Sequence, residues 1–245
     1  MRNLKKQNNR SNNKYYMYGK HAVLAAIKNP NRIIYKIYCL QKTFAELKAQ
    51  LKSFDIEIVI NDFITKKIGQ DHPHQGIIAY VNSIFLTDLE QLDYANKNDR
   101  IAILDQITDP QNIGAIIRSA AAFGISKILI PSDNSPDENA SIAKAACGCL
   151  ELINIVKVTN LKSSIDKLKK KGFWIAGLDA QGVNTIENIT NIDKLAIIIG
   201  SEGKGMRKLT RDSCDFLVKI EISPLVESLN ASNAASIIFY ATQTY

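Results

Sequence analysis

The sequence predicts an α/β protein in two parts, a small N-terminal α/β unit and a larger doubly wound domain built on a parallel sheet. Three observations point there. From Arg100 onward apolar strand-like runs alternate with helical ones, the rhythm that calls for a parallel sheet with helices on its faces. Between Gly19 and Asn82 the pattern is shorter and mixed. Three blocks of small or amide-bearing residues stand where a strand gives way to a loop, which is where such folds admit ligands: Asn112 to Arg118, Gly200 to Met206 and Ser228 to Ser232.

Taken in order, a helix starts near Lys20 and stops before Asn29-Pro30, because proline excludes the helical conformation from the residue before it. A strand over Ile33 to Leu40, a helix over Phe44 to Phe54 and strands at Ile56 to Ile60 and Gly76 to Val81 complete the small unit. Thr87 to Asn98 is acidic and then polar, and reads as a connecting helix or linker. The second part opens with strand Ile101 to Leu104 and helix Asn112 to Phe123, closed by Gly124. Strand Lys127 to Ile130, helix Asn139 to Cys147, strand Ile153 to Val158 and a Lys-rich helix over Leu161 to Lys171 follow. Strands Phe173 to Leu178, Leu195 to Ile199 and Phe216 to Ile222 lead to a last helix, Leu229 to about Thr242. The domains expected are therefore a basic tail over 1–17, a small domain over 18–82, a linker over 83–99 and the large domain over 100–245.

With 245 residues, 46% of them hydrophobic, the chain can bury a substantial core, and no apolar run reaches the roughly 20 residues that span a bilayer. A soluble protein is expected. Its four cysteines and three histidines form no metal-ligand spacing, so the thiols read as reduced and the compartment as cytoplasmic, with no metal. The net charge of +7 is concentrated: residues 1 to 20 hold Arg2, Lys5, Lys6, Arg10, Lys14 and Lys20 with no acid, and the remainder carries +1. Such a stretch reads as a solvated, disordered arm and hints at nucleic acid. No apolar segment follows it to make a signal peptide.

Each of the three blocks has a plain and a functional interpretation. Three glycines in Gly200-Ser201-Glu202-Gly203-Lys204-Gly205 mark either a strand-end turn or a loop that exposes its backbone to a ligand; the spacing is neither a dinucleotide fingerprint nor a P-loop. Asn112 falls in the first turn of its helix, and Arg118 lies about 120° around from it. That arginine is either a surface residue or a fork for phosphate oxygens. Ser228 or Asn230 caps the last helix, and the small residues after it would also admit a flat ligand or another backbone. All histidines lie in the first third of the chain, so no catalytic triad is in sight, and no acidic cluster suggests two metals.

Together the blocks resemble the three signature motifs of the SpoU, or TrmH, branch of the SPOUT methyltransferases, over the chain from about Tyr18 to its end. Gly19-Lys20-His21-Ala22-Val23 and His74-Gln75-Gly76-Ile77 are similar to that family's small RNA-binding domain, which has the ribosomal-protein fold of the L30e and L7Ae type. Ala146-Cys147-Gly148 and Leu209-Thr210-Arg211 fit the subgroup that methylates a guanosine of 23S rRNA. The resemblance implies a C-terminal trefoil knot that holds S-adenosylmethionine, and a homodimer with its active sites at the interface. It implies that Gly200, Ile220 and Leu229 line the cofactor pocket, that Glu202 shapes the loop, and that Asn112, Arg118, Ser228 and Asn230 surround the ribose. Departures from the family pattern fall at Ile222-Ser223-Pro224-Leu225 and at Asn233.

The expected activity is 2′-O-methylation of an rRNA ribose, with Arg118 clamping phosphate and stabilising the developing alkoxide while Ser228 and Asn230 orient the hydroxyl. The competing expectations are a tRNA substrate and a non-catalytic RNA-binding protein on the same fold. A nicotinamide-dependent enzyme is disfavoured because Leu104-Asp105-Gln106, after the first strand of the large domain, holds no glycine.

Overall fold

The computed structural model describes residues 13–243. The small domain comprises β1 (Lys14–Tyr18), α1 (Lys20–Lys28), β2 (Ile34–Cys39), α2 (Gln41–Leu51), β3 (Ile56–Ile58), α3 (Asn61–Ile68) and β4 (Ile77–Asn82). Its sheet has the order β1-β4-β2-β3, with β4 antiparallel to both neighbours and β3 parallel to β2.

Two of these elements differ from the sequence expectation. Lys14 to Met17, assigned there to the disordered tail, form most of β1, paired along its whole length with β4. Three tyrosines favour a strand, but the basic run before them masked the signal. The rest of that tail, 1–12, lies outside the described residues. The other is α3, where Ile64 and Ile68 share one stripe against Tyr18 and Ile78 of the sheet, although only eight residues carry the pattern.

The large domain comprises β5 (Arg100–Leu104), α4 (Pro110–Ala122), β6 (Lys127–Pro131), α5 (Ala140–Ala145), β7 (Asn154–Val158), α6 (Leu161–Lys170), β8 (Trp174–Leu178), β9 (Leu195–Ile199), α7 (Lys208–Arg211), β10 (Phe216–Val218) and α8 (Ala231–Ala241). Its six strands are all parallel, in the order β10-β8-β9-β5-β6-β7. Every residue of β5, β6 and β9 is buried, as a sheet covered on both faces requires. Ile101 and Ile103 point to a cluster with Leu161, Ile165 and Leu168 of α6, and their neighbours Ala102 and Leu104 point to the cluster that takes in α4, α5 and α8. Helix starts follow local chemistry: Asp109 caps α4 with Pro110 in its first turn, and Asn139 and Asn160 cap α5 and α6.

The connection expected over 83–99 holds one short 3-10 turn, Leu89–Gln91, and is packed onto the sheet. Leu86, Leu89 and Leu92 are buried, and Leu86 pairs through its backbone with Ile155 and Lys157 of β7. The two domains share one apolar core and a buried polar junction. Arg32 forms ion pairs with Glu138 and Glu151, all three side chains being almost fully buried, and donates to Asn82 O. Tyr15 donates to Glu138 at 2.8 Å, and Ser83 Oγ and Ile84 N satisfy its other oxygen. Burial, helped by Glu138, pushes the Tyr15 phenol well above its ordinary range, so the network keeps a neutral hydroxyl there.

Candidate active site

Three loops at the C-terminal ends of β8, β9 and β10 meet around one cavity of about 430 Å³. Leu178 to Gln181, Ile199 to Gly203 with Gly205, and the stretch from Val218 to Ala234 line it. The chain leaving β10 at the sheet edge thus returns along the cavity before α8 packs against β9 and α4. Gly200 and Leu229, 29 positions apart, lie on the same cavity wall. The two loops that a knotted C-terminus brings together therefore meet at this cavity.

Gly200 is dictated by packing. A Cβ there would stand 2.4 Å from the Gly205 carbonyl carbon and 2.6 Å from Met206 N. The loop folds back on itself through Ser201 N to Gly205 O (3.2 Å) and Gly205 N to Ser201 O (2.9 Å), and Gly203 and Gly205 take φ of +79° and +64°. Its far end is tied down by Asp105, a fully buried carboxylate that accepts from Arg207 N at 2.9 Å and Arg207 Nε at 2.7 Å. Asp105 N donates to Ile199 O, so one residue joins the end of β9, the glycine loop and the turn into α4.

Asn230 is the node of the site. As the cap of α8, its Oδ1 accepts from Ser232 N at 2.9 Å and Ser232 Oγ at 2.6 Å. Its Nδ2 donates to Asn112 Oδ1 at 3.1 Å and Glu202 Oε2 at 3.3 Å. One amide therefore joins all three sequence blocks, and the capping interpretation holds for it. Ser228, Leu229, Ile220, Gly200 and Glu202 line the cavity.

Arg118 stands apart from this group. It is exposed on α4, and its NH1 reaches Cys147 Sγ at 3.7 Å. Cys147 holds a left-handed backbone, φ +50°, in the turn after α5. That turn lies close to α4 because Gly114 lets the helices touch: a Cβ on Gly114 would meet Ala145 Cβ at 2.4 Å. Burial pushes the Cys149 thiol up while the Arg118 charge pulls it down, which places the guanidinium's field over this turn.

The sequence reading missed Asp105, Arg207, Gly114 and the cavity wall at 178–181. Only the last had a signal, since it follows the C-terminal end of a parallel strand. Among the described residues no group of three or more His, Cys, Asp or Glu could hold a metal ion, and no helix is long and apolar enough to cross a membrane.

Comparison with known proteins agrees with this geometry. Residues 99–240 match the SpoU rRNA methylase family and residues 16–85 match the RNA 2′-O ribose methyltransferase substrate-binding family. The chain is 36% identical over 237 residues to YacO of Bacillus subtilis, named as a TrmH family tRNA/rRNA methyltransferase, covering 92% of this chain and 93% of that one. It is 35% identical to the 23S rRNA (guanosine-2′-O-)-methyltransferase RlmB of Vibrio vulnificus, covering 92% of this chain and 94% of that one. The crystal structure of the SpoU methyltransferase AviRb from Streptomyces viridochromogenes, in complex with AdoMet, superposes with a TM-score of 0.80 at 22% identity, over 99% of this chain and 92% of that one. With both domains matched and two relatives aligned nearly end to end, the chain belongs to the SpoU rRNA methylase family.

Proposed function

We propose that this RNA methyltransferase transfers a methyl group from S-adenosylmethionine to the 2′-hydroxyl of a ribose, in a guanosine of 23S rRNA, and acts as a cytoplasmic homodimer. The observation that carries the reading is Asn230, whose amide joins Asn112 to Glu202, a residue that lines the glycine-loop cavity.

The cavity suits the cofactor. Its volume falls in the range of small-molecule sites, and Leu178, Ile199, Val218, Ile220 and Leu229 give it apolar walls between backbone loops. Gly200, Ile220 and Leu229 would hold the cofactor, with Glu202 setting the loop. Once bound, the cofactor supplies a methyl carbon already activated by a cationic sulfur.

The protein's share is alignment and charge. A ribose hydroxyl is a weak nucleophile at neutral pH, so holding its oxygen in line with the methyl carbon removes much of the barrier. Asn112, Ser228 and Asn230 supply donors and acceptors of fixed position for that hydroxyl. Arginine does not give up a proton in proteins, so Arg118 serves as a phosphate fork that stabilises the developing alkoxide, and the RNA phosphate it holds shares the proton that the hydroxyl loses.

Within one chain Arg118 does not touch the Asn230 node; a second copy docked through α4 and α8 would bring a guanidinium to it. Support comes from α8, whose Ile237 and Tyr240 are 38% and 63% exposed beside α4. Three features fit an rRNA substrate in the cytoplasm: the identity to RlmB, the matched substrate-binding domain and four unpaired thiols.

The test is methyl transfer to separate rRNA and tRNA transcripts by wild type, Arg118→Lys, Arg118→Ala and a mixture of Arg118→Ala with Asn230→Ala chains. Activity on rRNA, its loss in both single-site Arg118 variants and partial recovery in the mixture are expected. Near-full turnover by Arg118→Lys with normal RNA binding refutes the fork. Methylation of tRNA alone replaces the substrate, and failure to bind S-adenosylmethionine removes the enzyme reading altogether.

A further inference from the structure

We propose that the outer face of the small sheet is a stacking platform for unpaired RNA bases; this rests on the reading that the substrate is RNA and locates where it is gripped outside the reacting site. Four rings of the sheet and Phe63 of α3 follow one another across that face. Tyr35 and Tyr80 lie 5.6 Å apart, Tyr80 and Tyr16 4.9 Å, Tyr16 and Tyr38 6.4 Å, and Tyr38 and Phe63 5.0 Å, between centroids. Tyr16 and Tyr80 are register partners on β1 and β4, and an irregularity in β2 between Ile34 and Lys36 accompanies the approach of the Tyr35 ring to Tyr80. None of the five is buried, and Tyr35 is 40% exposed.

Folding alone does not account for this face. α3 covers the Tyr18 end, where Ile64 and Ile68 seal Tyr18 and Ile78 and where Tyr16 and Tyr38 pack at the margin, and Tyr80 and Tyr35 lie outside that cluster. A face left to solvent is ordinarily polar, and this one carries rings. Cations stand over them: Lys14 Nζ is 4.4 Å from the Tyr35 centroid, and Lys67 Nζ is 5.5 Å from Tyr16 and 5.6 Å from Phe63. The nearby acids Asp55 and Glu57 are paired with Lys36. β1 is an edge strand, and the chain that enters it carries Arg2, Lys5, Lys6 and Arg10.

Rings interleaved with cations match the two parts of a single-stranded nucleic acid, bases and phosphates. An acidic polypeptide would need the cations and not the rings. The face also leads toward Arg118. Ala140 of α5 packs against the Tyr18 cluster, Lys144 Nζ lies 5.9 Å from the Tyr18 ring, and the turn after α5 holds Cys147, which touches Arg118.

The experiment measures binding of the full chain to a fluorescent ten-nucleotide unpaired RNA and to a duplex of the same length, with polyglutamate as competitor. Variants are Tyr35→Leu/Tyr80→Leu, which keeps apolar bulk, and Tyr35→Phe/Tyr80→Phe, which keeps the rings. Each stacked base lost weakens binding from about fivefold to over a hundredfold, so the Leu pair should bind the unpaired RNA at least tenfold more weakly. The Phe pair should stay near wild type, duplex affinity should not change, and the melting temperature confirms that each variant folds. Equal losses on both RNAs, no loss in the Leu pair, or polyglutamate competing as well as RNA would overturn the platform. A wild type that shows ring-dependent binding yet methylates no RNA would overturn the proposed function alone. A wild type that methylates rRNA while the Leu pair binds normally would overturn the platform alone.

Discussion

Asn230→Asp separates the structural role of the node from its functional one. The substitution is isosteric, and the Oδ1 that accepts from Ser232 N and Oγ is retained. Aspartate caps helices as well as asparagine does and gains about 0.3–1 kcal/mol from the helix dipole, so α8 should not weaken. The other half of the side chain reverses its chemistry. The donor to Asn112 Oδ1 at 3.1 Å becomes an acceptor facing an acceptor, and the donor to Glu202 Oε2 at 3.3 Å becomes a carboxylate facing a carboxylate. The lost bonds are worth about 0.5–1.5 and 1.5–3 kcal/mol. Repulsion at that separation adds about 1.3 kcal/mol in a water-like medium and about 5 kcal/mol at an effective dielectric of 20. Glu202 is exposed and can turn to solvent, which puts the sum at about 2–4 kcal/mol. That loss falls on the folded state and should lower the melting temperature by roughly 4–16 °C, while kcat/KM should fall roughly thirty- to a thousandfold because the node that positions the hydroxyl is disrupted. Asn230→Ala should lose comparable activity and about 1 kcal/mol of stability with its cap. Methyl-transfer kinetics beside thermal melts decide the matter: an Asn230→Asp protein within threefold of wild-type kcat/KM would show that capping is all the residue does.

Arg32→Met leaves Glu138 and Glu151 buried without their partner, which costs about 3–5 kcal/mol and should lower the melting temperature by roughly 6–20 °C. Adding Glu138→Gln and Glu151→Gln should recover part of that loss in calorimetry, and no recovery would mean the charges are not the cause. Asp105→Asn keeps the volume but removes the charge that holds Arg207, so S-adenosylmethionine should bind about five- to thirtyfold more weakly in titration calorimetry, with RNA affinity unchanged. Burial pushes the Cys214 thiol up to about 12, so at pH 8 it stays protonated and reacts slowly, whereas Cys147 is exposed beside Arg118. Peptide mapping after brief iodoacetamide treatment should find Cys147 labelled first, and Cys214 labelled ahead of it would contradict this.

Much of the large domain is legible because its signals are local. Asp109-Pro110 and the asparagines at 139 and 160 start helices through their own side chains, and fully apolar runs mark strands buried on both faces. The loops bearing Gly200 and Asn230 also stand out locally, although glycine and asparagine serve ordinary turns and caps too, so only their resemblance as a set points to a site. What stays hidden depends on partners far along the chain. Asp105 and Arg207 are 102 positions apart, and nothing local marks either of them. Gly114 reads as an ordinary helical glycine until α5 is laid against it. Periodicity is blind to the crossing of one loop through another, so the knot enters the sequence reading only through resemblance. The strand at Lys14–Tyr18 was lost because charge outweighed three tyrosines, and its register with β4 is a tertiary fact.

The ion cluster at Arg32 has a geometric consequence. Because Glu138 precedes α5 and Glu151 follows it, the small sheet is bolted to the segment that abuts α4 at both of its ends. The tyrosine face and the glycine-loop cavity are then held at a fixed interval, and with the proposed platform and site in use a substrate would be admitted when its own fold spans that interval. Loosening the bolt should blur which nucleotide is marked well before it slows the marking.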